Sequence, residues 1–443
     1  MQREMIRLTA LGAVTGLLAG AVVLAFRWLI EASQRAFLPG GQLGNYEALP
    51  GWAILGLPVA GGLVLGLFFE RLPEHLRSVG IVHAIQQLRH TGRPNLPLGN
   101  ALVQFFAGAF AIVCGHSVDR EGPGVHLGAA TGSWVGGRSD DADSFTLTVC
   151  GAAAAIAAAF NTPLAGIVFV IEVLGVRYRV DRFIPVMTAS VIGAIIAQLA
   201  YGATPTFELA SNLQMVSNEE ILLLAGLGLV TGSVAVAFIA LTEASWRLGG
   251  HLRPSLAFTL AGLATGLTGL AVPQVLGISY DTLNNILNNH LGLAALLALI
   301  AGKLLATGIS VGLRVPGGLI GPSLVIGGAL GGVLGVMVQS LAIPTSSEAF
   351  YAVVGMLAMM SAVLRAPLAA LMALLELTAN PNVIFPGMVA VVSADVLSRQ
   401  LLGRESIFEH VRRLAEVRPG ERVSGDDGGH AAESSSRQGE RDD

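Results

Sequence analysis

The stretch GHSVDREGPGVHLGAATGSWVG, residues 115–136, decides the fold of this chain. It places the charged pair Arg120 and Glu121 directly before Gly122 and Pro123, and an uncharged segment rich in glycine and alanine follows. Proline is tolerated in the first turn of a helix because the amide that it lacks would be unpaired there. The pattern therefore predicts a buried helix that begins at Glu121.

The start of this predicted helix is a candidate anion site. Free backbone N–H groups and the positive end of the helix dipole, roughly half an elementary charge, point at whatever lies before the first turn. Such helix starts bind anions. The Glu121 carboxylate is itself an anion and can occupy the site that it guards. The other interpretation is an ordinary capping acid on an ordinary helix.

The composition indicates an all-α polytopic membrane protein. Of the 443 residues, 53% are hydrophobic and only 13% are charged, whereas soluble domains carry roughly 25% charged residues. The segment 315–341 is apolar but rich in glycine and proline, which predicts a broken or re-entrant helix. Such backbone is tolerated at membrane depth only where protein buries it or it lines a watery cavity, which favours a transport protein. The apolar windows long enough to cross a bilayer, at about 20 residues, are 8–26, 51–69, 146–171, 221–241 and 351–375.

The chain repeats itself at an offset of about 200 residues, a period that indicates two homologous halves. Four groups of residues recur in the same order. They are the segment 20–33 and its match 232–245, Gly62-Leu63 and Gly262-Leu263, Gly122-Pro123 and Gly321-Pro322, and Pro163-Leu164-Ala165 and Pro367-Leu368-Ala369. The two matching half-helices are expected to start at Glu121 and near Leu319.

The distribution of basic residues predicts that the two halves are inverted. No lysine or arginine lies between Arg182 and Arg247, which places that connection outside, whereas Arg399, Arg404 and Arg413 place the C-terminus inside. Inverted repeats place ion sites near the midplane of the membrane. The predicted domains are a first membrane repeat at 1–200, an external connector at 201–220, a second, inverted repeat at 221–412 and a disordered cytoplasmic tail at 413–443. Both termini are expected in the cytoplasm.

Several motifs resemble those of one known family. Residues 119–123, DREGP, are similar to GREGP, and residues 316–322, PGGLIGP, are similar to PGGIFAP. The run FNTPLAG at 160–166 and Ser-Ile-Phe at 406–408 also match. Over about residues 1–412 the chain resembles the CLC family of chloride channels and chloride/proton antiporters. The resemblance implies a CLC-type inverted repeat of tilted, broken and re-entrant helices. It also implies a homodimer in membrane lipid, in which each subunit moves chloride or similar small anions.

The resemblance also implies the site residues. Glu121 is expected to be the gate: when charged it competes with chloride, when protonated it lets anions pass, and in antiporters it carries the proton. The expected anion-binding groups are the backbone amides of Arg120, Glu121, Gly122, Gly80, Ile81, Leu319 and Ile320.

The chain departs from the family pattern at four positions. Val79 stands where the family has a serine and Phe408 where it has a tyrosine, so central anion binding must rely on backbone amides. Each missing hydroxyl corresponds to about 1.5–3 kcal/mol. Val173 stands at the inner proton-relay glutamate, so that relay is lost and proton coupling stays open. Asp119 replaces a glycine; it either disfavours anion entry at the outer mouth or is neutralised by Arg120, and the sequence does not choose between these.

Other charged and titratable residues within apolar runs are expected to be structural. Glu172 has a repeat counterpart, Glu376, in the half where no relay is expected. The cations Lys303, Arg314 and Arg365 are interpreted as caps of helix C-termini or partners of these glutamates, since charges facing lipid are costly. We also interpret His83 and His126 as packed or capping residues.

Two mechanisms remain open at this point, a passive Glu121-gated channel and a proton-coupled antiporter with weak coupling. A fluoride-selective member of the family and a non-conducting membrane protein that serves binding or assembly are the competing interpretations. The sequence contains no metal-ligand spacing, nucleotide-binding loop or paired nucleophile and base. We therefore expect no enzymatic activity, no cofactor or metal, and no nucleic-acid partner.

Overall fold

The structure is a computed structural model that describes residues 2–89, 93–177, 179–202, 207, 213–340, 345–401, 403 and 406–416. Within these ranges the chain is built from α-helices, and the only extended pairing is an isolated bridge between Asp119 and Gly318. Nine of the described helices are long and apolar enough to cross a membrane. The chain is therefore an all-α, multi-span membrane protein.

The helices of the first half are α1 (Gln2–Phe37), α2 (Gly51–Arg71), α3 (Glu74–Arg77), α4 (Ile81–Arg89), α5 (Leu98–Val113), α6 (Glu121–Val135), α7 (Asp141–Phe160), α8 (Pro163–Glu172) and α9 (Val180–Tyr201). Those of the second half are α10 (Glu220–Gly249), α11 (Pro254–Ala271), α12 (Tyr280–Leu287), α13 (Leu293–Gly312), α14 (Ile320–Gln339), α15 (Glu348–Leu364), α16 (Pro367–Thr378), α17 (Ile384–Asp395) and α18 (Ile407–Glu416). Short 3₁₀ segments occupy Pro39–Gly41, Gly136–Arg138, Pro273–Val275 and Pro381–Val383, and a π-helical segment occupies Val396–Leu401.

The helices pack in pairs that follow the sequence repeat. In the first half α6 packs on α7, and in the second half α14 packs on α15. Between the halves, α2 packs on α11 and α8 packs on α16. The two halves therefore meet along matching elements, in the inverted-repeat architecture that the motifs predicted.

Two windows that the sequence predicted as continuous spans are broken in the structure. Window 146–171 divides into α7 and α8 at Asn161, and window 351–375 divides into α15 and α16 at Arg365. Both residues have left-handed backbone conformations, with φ of 60° and 59°. A proline begins each following helix, Pro163 and Pro367. Hydropathy averaged over a window cannot detect a single left-handed residue, so the windows merged two helices each.

Segment 315–341 is not broken as one of its two interpretations expected, because α14 is one continuous helix of 20 residues. Its glycines serve close packing: a Cβ on Gly327 would stand 2.3 Å from the carbonyl oxygen of Gly355 on α15. Helices α6 and α7 are equally close, because a Cβ on Gly128 would stand 2.3 Å from the carbonyl oxygen of Gly151. In the apolar windows of α7 and α14, 94% and 78% of residues are buried, against 39–44% for the other spans. These two helices lie at the centre of the molecule.

Two predicted boundaries can be compared with the structure. The predicted connector begins where α9 ends, at Tyr201, and it finishes where α10 begins, at Glu220; residues 203–206 and 208–212 lie outside the described residues. Helix α18 continues to Glu416, past the predicted start of the tail at 413, and the tail itself stays a prediction. The rest of the predicted tail, 417–443, lies outside the described residues.

Candidate anion site

The starts of two helices, one from each half, meet in the interior. Helix α6 begins at Glu121 and α14 at Ile320, close to the starts expected from the sequence. Before these starts, Asp119 and Gly318 exchange two backbone hydrogen bonds, each of 3.1 Å between nitrogen and oxygen. A Cβ on Gly122 would stand 2.9 Å from the Gly318 Cα, so glycine is required for this approach. The structure thus joins the two half-helix starts into one site.

A single carboxylate, that of Asp119, bridges both helix starts. Its Oδ1 accepts hydrogen bonds from the Glu121 and Gly122 amides at 3.1 and 3.2 Å. Its Oδ2 accepts from the Gly321 amide of α14 at 2.7 Å. The side chain is fully buried. Free amides and the two positive dipole ends make this position favourable for a negative group.

The Glu121 carboxylate does not accept hydrogen bonds from these amides in the structure, so here it does not occupy the site that it is expected to guard. Its Oε1 accepts a hydrogen bond from the Tyr280 hydroxyl at 2.7 Å and lies 3.5 Å from the Arg120 Nε. Its Oε2 is buried without a hydrogen-bond partner among the described residues. The residue as a whole is 1% exposed. Asp119 lies at the amides, and Glu121 has turned aside to Tyr280.

The structure corrects the expected exposure of Asp119, while the effect of this residue on anion entry stays a prediction. Asp119 is not exposed at an outer mouth, and its carboxylate is satisfied by backbone amides. The Arg120 guanidinium instead lies 3.5 Å from Glu31, which is also bonded to Arg27 at 2.6 Å. This cluster holds Arg120 beside the Glu121 carboxylate.

Tyr280 is the functional candidate that sequence reasoning missed. It begins the short helix α12, and its hydroxyl lies near Gly321 as well as on Glu121, since a Cβ on Gly321 would stand 3.2 Å from it. Its ring packs edge-on against Phe207, and the Arg120 guanidinium lies 5.6 Å from its centroid. Its sequence neighbourhood, SYDTLNN, carries no signal of this role, because the partner is 159 residues away.

The predicted inner amides lie at the start of α4. Gly80 has a φ of 85°, a conformation that favours glycine, and Ile81 begins the helix. The first hydrogen bond to the backbone here is donated by Ala84, so the Ile81 amide has no acceptor within its own helix. A Cβ on Gly80 would stand 3.9 Å from Gln104 Oε1, and the fully buried Gln104 side-chain amide has no partner among the described residues at either polar atom. Gln104 is a second residue that sequence reasoning missed.

The Ile320 amide at the start of α14, like that of Ile81, lacks an acceptor within its own helix. The first intrahelical bond of α14 runs from Ser323 to Leu319, the residue before the helix, so Ile320 has no acceptor within its helix. Gly321 donates to Asp119. The structure therefore brings together Arg120, Glu121, Gly122, Leu319 and Ile320 at one junction.

Helix α4 contacts α6 through two buried histidines. His83 Nδ1 and His126 Nε2 lie 3.1 Å apart, within hydrogen-bond distance. Both side chains are buried, as expected for packed residues, but neither is isolated, because they contact each other. Their separation of 43 residues in the chain hid this pair from sequence reasoning.

Three positions, 79, 173 and 408, lack the polar side chains that are typical of the family, and all three are apolar and packed. Val79 packs in a hydrophobic cluster with Phe26 and Val118, while Phe408 and Val173 belong to the main core and are 5% and 6% exposed. No hydroxyl or carboxylate is available at these positions. The relation of Val79 and Phe408 to a bound anion stays a prediction.

Glu172 and Glu376 cap helices across the interface between the halves. Glu172, at the end of α8, accepts hydrogen bonds from the Leu368 and Ala369 amides at the start of α16. Glu376 of α16 does the same for Leu164 and Ala165 of α8. This reciprocal arrangement agrees with a structural role for Glu172.

The three cations within apolar runs each have structural contacts. Lys303 donates to the carbonyls of Val275 and Gly277 and to the Ser279 hydroxyl, at 2.7–3.0 Å. The Arg365 guanidinium contacts Asp395 and Ser398. The Arg314 guanidinium lies 4.4 Å from the centroid of the Trp246 ring. These contacts are structural, but they are made with backbone carbonyls, Asp395 and Trp246, and the predicted pairing with Glu172 or Glu376 is not among them.

Fold and site together define a class: an all-α, inverted-repeat membrane protein whose two halves point the starts of helices at one buried position for a negative group. The family described as voltage gated chloride channel matches residues 61–399, and the chain belongs to that family.

Comparison with known proteins gives the same family. The chain is 30% identical over 430 residues to the putative chloride channel protein ClcB-like of Ralstonia nicotianae, covering 92% of this chain and 97% of that protein. It is 31% identical over 323 residues to the H(+)/Cl(-) exchange transporter ClcA of Vibrio campbellii, covering 70% and 68%. The fold is similar to the X-ray crystal structure of a slow cyanobacterial Cl⁻/H⁺ antiporter, with a TM-score of 0.80 and 24% identity, covering 92% of this chain and 98% of that one.

Proposed function

We propose that this protein transports chloride or similar small anions across the inner membrane of a bacterium. The observation that carries the proposal is the junction of α6 and α14, where a negative group is held in the interior by amides of two opposed helix starts. Backbone N–H groups and dipole ends stabilise an anion without a basic side chain that would bind it too tightly to release. The amides of Ile81 and Ile320, which have no acceptor within their own helices, are the other candidate donors to an anion.

Glu121 is the gate in this proposal. Its carboxylate is held beside Arg120 by the Tyr280 hydroxyl, and one of its oxygens is unsatisfied within the described part of the chain. A charged carboxylate that leaves Tyr280 competes with an anion for the remaining amides, whereas a protonated one does not. Flux should therefore depend on pH through Glu121.

Passive or loosely coupled movement is the form that the inner residues support. The relay position holds Val173, which is 6% exposed and carries no titratable group. The carboxylate beside it, Glu172, is bonded to two amides of α16. A proton that reaches Glu121 from the inside must use another route.

Proton-coupled antiport is the second candidate, and the His83 and His126 pair favours it. The pair links α4 to α6, the helix that carries Glu121, and its two imidazole nitrogens lie 3.1 Å apart. Histidine is the side chain whose ordinary titration range lies nearest neutral pH. A proton passed along this pair would not need the missing glutamate.

Fluoride selectivity and a non-conducting assembly role receive less support. A fluoride-selective protein is disfavoured because residues 316–322, PGGLIGP, keep the pattern of the PGGIFAP motif. A non-conducting protein has no need of a buried, partly unsatisfied Glu121 at a helix start.

We further propose a homodimer with both termini in the cytoplasm. Light scattering of the purified protein would then give the mass of two chains, and a terminal tag would be accessible only from the cytoplasmic side. A single-chain mass would contradict the dimer, and a tag accessible from outside would contradict the orientation.

Chloride release from liposomes tests the proposed transport. Purified protein is reconstituted with chloride inside, and a chloride electrode and a pH electrode follow the external solution together. Release above that of protein-free liposomes is expected; its absence would favour the non-conducting role. A chloride gradient that drives protons uphill would select antiport over passive movement, and His126→Gln should then reduce the coupled proton flow.

A further inference from the structure

The carboxylate of Asp119 is positioned as an anion would be. It is completely buried, both of its oxygens accept hydrogen bonds, and the donors are backbone amides from both half-helices. A carboxylate and a halide are stabilised by the same groups, namely N–H donors and a positive dipole end. Asp119 therefore fills a position that would otherwise suit a small anion.

The backbone at Asp119 is fixed beside these amides. The residue is paired with Gly318 through two hydrogen bonds, one in each direction, so its Cα is fixed against the opposite half. An aspartate carries its carboxylate only one carbon beyond the Cα, and the buried surroundings offer it no solvent. Glutamate at 121 has a longer reach and accepts a hydrogen bond from a single tyrosine hydroxyl.

The incomplete hydrogen bonding of the Glu121 carboxylate is independent evidence that the amides are occupied. Its Oε2 is buried without a hydrogen-bond partner among the described residues, which is costly for a carboxylate. The donors at its own helix start, the amides of Glu121 itself and of Gly122, already donate to Asp119. Glu121 is thus excluded from these amides.

We propose that Asp119 is a built-in anion that permanently occupies the position between the starts of α6 and α14, so that a transported anion binds only at other amides, those of Ile81 and Ile320. This inference rests on the proposed function and adds a specificity-determining residue to it. The consequence is weak anion binding, because one position is filled by a fixed negative charge that also repels a second anion nearby.

The test combines bromide crystallography with calorimetry of purified full-length protein. In the wild type, an anomalous bromide peak at the Glu121, Gly122 and Gly321 amides should be absent. In Asp119→Gly, measured in the Glu121→Gln background so that the Glu121 carboxylate cannot take the freed amides, the peak should appear there. Chloride should bind about tenfold more tightly than to Glu121→Gln alone, because a negative charge leaves and three donors are freed. Asp119→Asn keeps an oxygen acceptor on the amides but loses the charge. It should give no peak and about threefold tighter chloride binding.

Asp140→Asn is the matched control. Asp140 caps the start of α7 by accepting from the Asp143 amide, and asparagine caps helices equally well. Its chloride affinity should equal that of the wild type. If Asp119→Gly fails to fold, Asp119→Asn decides, since unchanged affinity in that variant overturns the inference.

A wild-type bromide peak at the three amides would also overturn it, because Asp119 would then be displaceable. Both readouts are binding measurements in detergent and require no flux. Liposomes that release no chloride would therefore refute the proposed function alone. Chloride release together with a wild-type bromide peak would refute only the role of Asp119.

Discussion

Replacement of Tyr280 by phenylalanine tests the position of the gate. The Tyr280 hydroxyl donates to Glu121 Oε1 at 2.7 Å inside the protein, and phenylalanine keeps the ring that packs against Phe207. A hydrogen bond to a charged group is worth about 1.5–3 kcal/mol. At 1.4 kcal/mol for each factor of ten, its loss lowers the ratio of carboxylate held at residue 280 to carboxylate turned away by about 10- to 150-fold.

The expected result is a loss of chloride flux that depends on pH. Once the hydroxyl is removed, the charged Glu121 carboxylate turns toward the remaining amides, such as that of Ile320, and competes there with chloride. Flux in Tyr280→Phe liposomes should fall by about tenfold or more near neutral pH. Acidification should restore it, because a protonated Glu121 does not compete.

Two further variants make this experiment decisive. Tyr280→Phe in a Glu121→Gln background should have no additional effect, because the double-mutant cycle removes the interaction. Tyr46→Phe is the matched control: Tyr46 is buried and its hydroxyl donates to the Ile112 carbonyl at 2.7 Å, away from the gate. The reasoning is refuted if Tyr280→Phe conducts like the wild type, or if it loses as much flux in the Glu121→Gln background.

Three further predictions concern stability and central binding. Glu172→Ala and Glu376→Ala each remove a cap from two amides of the other half, so each should cost about 1–2 kcal/mol of stability, read as a lower unfolding temperature in detergent. Equal unfolding temperatures would contradict the capping role. Gly128→Ala should destabilise by about 1–3 kcal/mol, because its Cβ would stand 2.3 Å from the Gly151 carbonyl oxygen. Gly226→Ala, with nothing within 4 Å, serves as its control and should not destabilise. Restoring hydroxyls with Val79→Ser or Phe408→Tyr should tighten chloride binding by about tenfold each, measured by calorimetry, and unchanged affinity would show that these side chains do not face the anion.

The starts of the two central helices could be predicted from short-range sequence patterns. Gly122-Pro123 and Gly321-Pro322 marked the starts of α6 and α14 because proline and glycine act locally on a helix start. The break after α7 was missed for a physical reason: a single left-handed residue, Asn161, leaves mean hydropathy unchanged. The continuity of α14 was missed because its glycines are used for contact with α15 and not for bending.

The site could be predicted only as far as its local chemistry. The sequence identified the helix start at Glu121, but it did not indicate that the amides there donate to the Asp119 carboxylate. The occupant, Asp119, depends on register with Gly318 and on the Gly321 amide 202 residues away. Tyr280 likewise reaches Glu121 from the other half of the chain. Contacts of this kind follow from how the halves dock, and no local pattern encodes them.

The most direct test of the central claim is the pH profile of chloride release from liposomes carrying Glu121→Gln. Glutamine is close in size to a protonated glutamate and cannot ionise, so release should change in rate and become independent of pH, while the wild type stays pH-dependent. Glu243→Gln, which alters another buried glutamate beside an arginine, should keep the wild-type profile. A Glu121→Gln profile that follows the wild type at every pH would contradict the assignment of Glu121 as the gate.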